Sequence, residues 1–363
     1  MEQFKTFGTH SYLRKAKTKM KMTNKLGLVL ACMLAFCGCE DKQNLYVYTW
    51  ADYIDPDLIQ AFEKKNNCNV VIDTFDSNET MFAKLMAGAS NYDIIMPTEY
   101  IMPLLTNANL VIKLDMDKLP TVKKNFDKMF ASAWSLDYDV PYAFSCTGIL
   151  WRKDKCPPDL EFKDWNDLFD PRLKGRNCMM NDIREVLGIA LKMKGYSVNS
   201  TSQKELDEAT ALAKSWKNNV TKMDNESYRS GIPSAEFYAA MSYNSDAIQL
   251  LADDSENLGY FVPTNGTTSS VDVFCIMNRS RNKELAYKFI DMFYDLPNAV
   301  KNAEYNGVPM PIVGLYDALS DEYKAIDMMR VTDELKAKCE DINDIGEKLN
   351  MYSAAWDKIK SGK

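Results

Sequence analysis

The chain has 363 residues, with 44 Lys and Arg against 51 Asp and Glu (net charge −7) and one histidine, His10. A composition of 46% hydrophobic and 26% charged residues is globular, with enough chain for about two domains. The acidic balance, with no basic stripe beyond a leader expected to be removed, argues against a nucleic-acid partner, and His10 lies in that leader, which excludes Ser-His-Asp, Cys-His and HExxH chemistry.

The leader comes first in chain order. Arg14, Lys15, Lys17, Lys19, Lys21 and Lys25 precede an apolar run, Leu26 to Phe36, and then Cys37-Gly38-Cys39. Eleven apolar residues are too few for a permanent membrane helix but suit the apolar region of a signal peptide. A cysteine after a small residue makes the segment look like a bacterial lipoprotein signal. Residues 1–38 are expected to be cleaved, with Cys39 lipidated and 39–43 acting as a tether. Cleavage removes seven Lys/Arg and one Glu, so the balance moves from −7 to −13. Of nine cysteines, three belong to the leader and anchor, and the other six are scattered and without a CxxC pair, which argues against a metal cluster and leaves their redox state open.

Beyond the tether, strand and helix patterns alternate. Leu45 to Trp50 reads as a buried strand, and Asp55-Pro56 as a helix start with Pro at the first helical position. Asn69 to Phe75 predicts a second strand, Asn78 the cap of a helix that stops near Gly88, and Tyr92 to Thr98 a third strand. Helices are expected at Trp165 to Phe169, Arg184 to Lys194 and Lys204 to Lys217, a loop from Pro263 to Ser270, and a strand from Val271 to Met277. Helices at Lys283 to Tyr294 and Tyr352 to Lys360 follow. The alternation implies an α/β fold with mainly parallel sheets, where ligands bind beyond the carboxyl ends of strands. Trp50, Asp52, Tyr53, Thr98, Glu99 and Tyr100 sit just past such ends.

No P-loop, GxGxxG, GxSxG or EF-hand motif is present. What remains are aromatics and carboxylates at element junctions. Trp50 either stacks on a ligand or packs in the core. Asp182 and Glu185, three apart on one helical face, are either a capping box or a pair of anions for ammonium groups. Tyr243 and Asp246 follow an apolar stretch, and Asp272 interrupts the apolar strand VDVFCIM. A carboxylate there faces water at a sheet edge, or is buried at a cost of several kcal/mol unless hydrogen-bonded or neutralised by a cation.

These residues carry a resemblance. YTWADY (Tyr48 to Tyr53), SNETMFAKL (Ser77 to Leu85), YDIIMPTEY (Tyr92 to Tyr100) and NDIREVLGIAL (Asn181 to Leu191) occur in the order found in bacterial spermidine/putrescine-binding proteins. Those are the substrate-binding subunits of polyamine ABC transporters, and the resemblance runs over essentially the whole chain from Leu45 on. It implies a two-lobed periplasmic-binding-protein fold, with lobes at 44–147 plus 271–316 and 148–270 plus 317–363, and a ligand cleft between them. It also implies Trp50, Tyr53, Tyr100 and Tyr243 as aromatic walls and Asp182, Glu185 and Asp272 as ammonium partners. Thr98 would be a lining hydroxyl and Asp52 an acid beside the aromatics.

This sequence departs from the spermidine-type pattern at Ser270 and Val308, where aromatic walls are expected, and at Ile342. It carries Asp246, as putrescine-preferring relatives do. The implied protein is a lipid-anchored monomer without cofactor or reaction, serving a membrane permease. A different organic cation, or a surface adhesin or sensor on the same fold, is the alternative.

Overall fold

A computed structural model describes residues 42–88, 91–127 and 136–361. The expected signal peptide and Cys39 lie outside the described residues. Gln43–Lys363 form one compact unit. Among the described residues no helix is long and apolar enough to cross a membrane.

Strand β1 (Gln43–Thr49) buries Leu45 and Val47, and the helix Pro56–Asn66 follows it. Asp55 caps that helix, accepting from the Asp57 amide at 2.7 Å, with Pro56 where no intrahelical amide is needed. Strand β2 (Cys68–Thr74) leads to the helix Asn78–Met86. Its cap is Ser77, one residue before the expected Asn78: the Ser77 hydroxyl accepts from the Thr80 amide at 3.2 Å. Asn78 is thereby released for another task. The expected third strand shrinks to a two-residue ladder, β3 (Ile94–Ile95), because Pro97 has no amide to extend it.

Strand β4 (Val140–Arg152) is the longest, and β5 (Asn177–Met179), β6 (Lys222–Met223), β7 (Ala239–Tyr243), β8 (Leu258–Phe261), β9 (Thr267–Ile276) and β10 (Cys339–Asp341) complete the set. Their order is β2-β1-β3-β9-β4-β7-β5-β6, with β10 beside β9 and β8 beside β4. The pairs at either end of this order, β2-β1-β3 and β7-β5-β6, are parallel, as the alternating pattern implies. The middle differs, since β9 runs antiparallel to both β3 and β4, and β4 antiparallel to β7. Strand β9 also begins earlier than expected. Thr267 to Ser270 belong to it, because those polar residues pair with β4 and β10 and are not a loop.

Among the described residues the core falls into four apolar clusters, two of them larger than the rest. Of these two, one holds Leu45, Phe62, Phe274, Phe289 and Phe293, the other Trp165, Leu187, Trp216, Met241 and Trp356. Strand β4 joins them, with Tyr142 in the first and Ile149 in the second. After β9 the chain serves both, because Leu319, Ile326 and Met329 pack in the first cluster and Tyr352 and Ile359 in the second. Gly148, between these ends of β4, is required by space: a Cβ there would lie 2.4 Å from the Tyr260 ring and 2.7 Å from the Phe261 carbonyl.

Candidate functional site

A cavity of about 660 Å³ opens beyond the ends of β1 and β3 and beside the middle of β9. Ten of the residues singled out in the sequence line it: Trp50, Asp52, Tyr53, Thr98, Tyr100, Asp182, Glu185, Tyr243, Asp246 and Asp272. Glu99 does something else, its carboxylate accepting the Val271 amide at 2.6 Å and so fixing β9 next to Asp272.

Asp272 is not at a water-facing edge; it is 8% exposed. The Thr98 hydroxyl donates to one of its oxygens at 2.6 Å and the Tyr53 hydroxyl to the other. Burial pushes its pKa up to about 6, against the lowering effect of these two donors. The line of donors continues outward. Asn78, freed from capping, donates to Thr98 Oγ1 at 3.0 Å and to the Tyr100 hydroxyl at 3.1 Å, and accepts the Thr98 amide. Tyr53 is held from behind, its carbonyl accepting from Tyr142 at 2.6 Å and from Asn306 at 2.8 Å.

Asp182 and Glu185 open the helix Ile183–Met193, and Asp182 is its cap. One oxygen, Oδ1, accepts both the Arg184 amide at 2.9 Å and the Glu185 amide at 3.1 Å. The reciprocal half of a capping box is absent, because Glu185 turns away to take the hydroxyls of Thr147, at 2.7 Å, and Thr268 on Oε2. Capping therefore occupies one atom of Asp182, and the cap and cavity-lining roles coexist. Burial, and then the Asp182 charge, raise Glu185 to about 7; burial also raises Asp182.

Trp50 belongs to the packing and to the cavity wall together. It packs on Phe75 with ring centroids 4.4 Å apart and lines the cavity as well. Tyr243 ends β7, and Asp246 lies in the first turn of the next helix, Asn244–Asp254. Asp246 accepts from the buried Tyr228 hydroxyl at 2.5 Å, and burial raises its pKa. Ser270, Val308 and Ile342, the positions of departure, also line the cavity.

Sequence reasoning missed Asn78, Lys84, Arg184 and Arg229 as lining residues. The SNETMFAKL run held the first two without a signal that separates them from helix surface. Arg184 donates to the Asn343 carbonyl at 3.0 Å and to Asn199 at 2.7 Å. Lys84 lies 4.4 Å above the Tyr48 ring and 2.9 Å from Asp73. Eight carboxylates (Asp52, Asp76, Glu79, Asp182, Glu185, Glu226, Asp246, Asp272) thus face three cations around the cavity, a field that favours a positive ligand.

An acid-lined, aromatic-walled cleft beyond strand ends is the geometry of solute capture. The chain belongs to the bacterial extracellular solute-binding protein family, whose model matches residues 57–328. It is 29% identical over 358 residues to the putrescine/cadaverine-binding protein of Pseudomonas aeruginosa, covering 93% of this chain and 99% of that one. It is 28% identical to the spermidine/putrescine-binding periplasmic protein of Escherichia coli, covering 92% and 96%. Among solved structures, the TpPotD lipoprotein of Treponema pallidum superposes with a TM-score of 0.78 at 29% identity, over 87% of this chain and 99% of that one. The α/β periplasmic-binding-protein fold and a substrate-binding rather than enzymatic role follow from this membership.

Proposed function

We propose that the protein captures a polyamine, putrescine or spermidine, outside the cytoplasmic membrane and presents it to the permease of an ABC transporter. The observation that carries this reading is the gathering of four carboxylates, Asp182, Glu185, Asp246 and Asp272, around one cavity walled by Trp50, Tyr53, Tyr100 and Tyr243. A polyamine is an apolar chain with protonated amines at neutral pH. It needs charge-assisted acceptors for its ends and aromatic faces for its methylenes. Thr98 and Asp52 complete the lining. The two larger apolar clusters are the cores of two lobes, 44–147 with 271–316 and 148–270 with the end of the chain; the expected boundary at 316 moves later, since Leu319, Ile326 and Met329 pack with the first cluster, and β4 and β9 are the strands about which the lobes close. The similarity to putrescine- and spermidine-binding relatives supports the ligand class.

Isothermal titration with putrescine, cadaverine, spermidine and spermine tests the reading. Saturable heat at micromolar concentration is expected for at least one diamine. Absence of heat with all four overturns it, and points to another organic cation or to a sensor or adhesin role.

The protein is held at a bacterial membrane by lipid on Cys39 after removal of residues 1–38. The basic segment, the apolar run and Gly38-Cys39 support this, and two or three acyl chains hold where one is marginal. Cys39→Ala is expected to move the protein from the membrane to the soluble fraction. An unchanged distribution rules the anchor out.

A further inference from the structure

Three cations line the cavity, and two of them are fixtures. Arg184 is hydrogen-bonded to Asn199 and Asn343 and sits over the Tyr352 ring, 5.2 Å from its centroid. Lys84 is tied to Asp73 and lies against Tyr48. Arg229, on the short helix Ser227–Gly231, is held differently. Its guanidinium stands 3.6 Å from Asp246, 3.5 Å from Glu226 and 3.9 Å from Asp52, at the long edge of ion-pair distance from all three. Its side chain is 32% exposed, while that of Asp246 is 15% exposed. The three acids come from separate places: Asp52 from the loop after β1, Glu226 from the residue before the short helix, and Asp246 from the helix after β7. This is the placement of a counter-ion shared by converging carboxylates, with one long hydrogen bond, to Glu226 at 3.5 Å, in place of the close, directed bonds of a structural arginine.

Asp246 is therefore already paired before any ligand arrives. Its Oδ2 takes the Tyr228 hydroxyl and its Oδ1 faces Arg229. An ammonium brought to this end must share the carboxylates with a guanidinium, and like charges within a few ångströms at a half-buried site repel. Among the described residues no cation stands at salt-bridge distance from Asp182, Glu185 or Asp272; the Arg184 guanidinium donates to Asn199 and Asn343 instead.

We infer that Arg229 determines which polyamine the cleft accepts: it occupies the Asp52/Asp246 end as a resident cation, so the site takes a diamine and discriminates against a ligand that brings a further ammonium there. The inference rests on the polyamine reading above and deepens it. A spermidine-sized ligand brings one more ammonium than putrescine, and at the Asp52/Asp246 end the acids that would serve it are the ones Arg229 holds.

The test is calorimetric titration of putrescine and spermidine into the native protein, Arg229→Gln and Arg229→Lys at one pH and salt concentration. The native protein is expected to prefer putrescine. Arg229→Gln is expected to raise spermidine affinity relative to putrescine about tenfold, more than a fully exposed pair would give. Arg229→Lys, which keeps the charge, is expected to hold the native ratio. A ratio unchanged within about twofold in Arg229→Gln overturns the inference while leaving the polyamine reading intact. So does a shift in Arg229→Lys as large as in Arg229→Gln, or loss of both ligands in Arg229→Gln alone, either of which makes the role one of shape. If neither ligand binds the native protein, the proposed function falls, and this inference with it.

Discussion

Asp272→Asn is expected to weaken putrescine binding by about 1.5–3 kcal/mol, the range for a hydrogen bond to a charged group, with little loss of melting temperature. Both Asp272 oxygens already accept a hydroxyl, from Thr98 and from Tyr53, and Thr98 in turn accepts from Asn78. An asparagine keeps the shape but turns one acceptor into a donor, so either Thr98 or Tyr53 must rotate. The folded protein without ligand gains something in exchange, because a carboxylate pushed up to about 6 by burial no longer has to ionise. Stability and affinity therefore separate, and calorimetry with a thermal melt on the same sample reads both. Equal affinity in the variant would show that Asp272 serves to hold Tyr53 and Thr98 and does not contact the ligand.

Glu185→Gln should act in opposite directions on stability and binding. In the folded protein Glu185 titrates near 7, above its ordinary 4.5, because it is buried beside Asp182. The folded state thus holds a proton that the unfolded chain has released. The stability this contributes is present below about pH 4.5, is lost as pH rises through about 7, and stays lost above. Asp272 adds the same sign between its ordinary 3.8 and about 6. A bound ammonium offsets the cost of both charges, so putrescine should raise the melting temperature more at pH 8 than at pH 5.5. Glu185→Gln removes the ionisation cost, raises the ligand-free melting temperature at pH 8, and reduces putrescine affinity by at least about tenfold. Thermal melts from pH 4.5 to 8.5, with and without putrescine, check each part. A variant with the native pH slope would place the titrating group elsewhere, and native affinity would remove Glu185 from the site.

Much of the fold was legible because it depends on local patterns. The buried strand β1, the Asp55-Pro56 start and the helix Gln203–Lys217 are set by side chains within a turn or two of each other. The cavity lining was legible for a similar reason. In an α/β sheet, residues just past strand ends converge, so YTWADY and the PTEY segment could be assigned to one cleft before any contact was known. The Thr267 to Ser270 segment was not legible. Its polar residues read as a loop, but between β4 and β10 their hydroxyls find partners: Thr267 donates to the Thr147 carbonyl at 2.7 Å, Thr268 to Glu185, and Ser269 to Asp341 at 2.6 Å.

The sequence by itself determined the alternating α/β pattern, the acidic balance and which carboxylates and aromatics stand at element ends, because each of these follows from residue type and short-range spacing. Only the tertiary structure decided how those groups are used. It divided Asp182 between a helix cap and the cavity, gave Asn78 to Thr98 instead of to its own helix, buried Asp272 under Tyr53, and set Arg229 against Asp52 and Asp246. The partners in the last three pairings are 17 to 219 residues apart in the chain. A charge and its counter-charge need share only a place in space, and no local spacing records that.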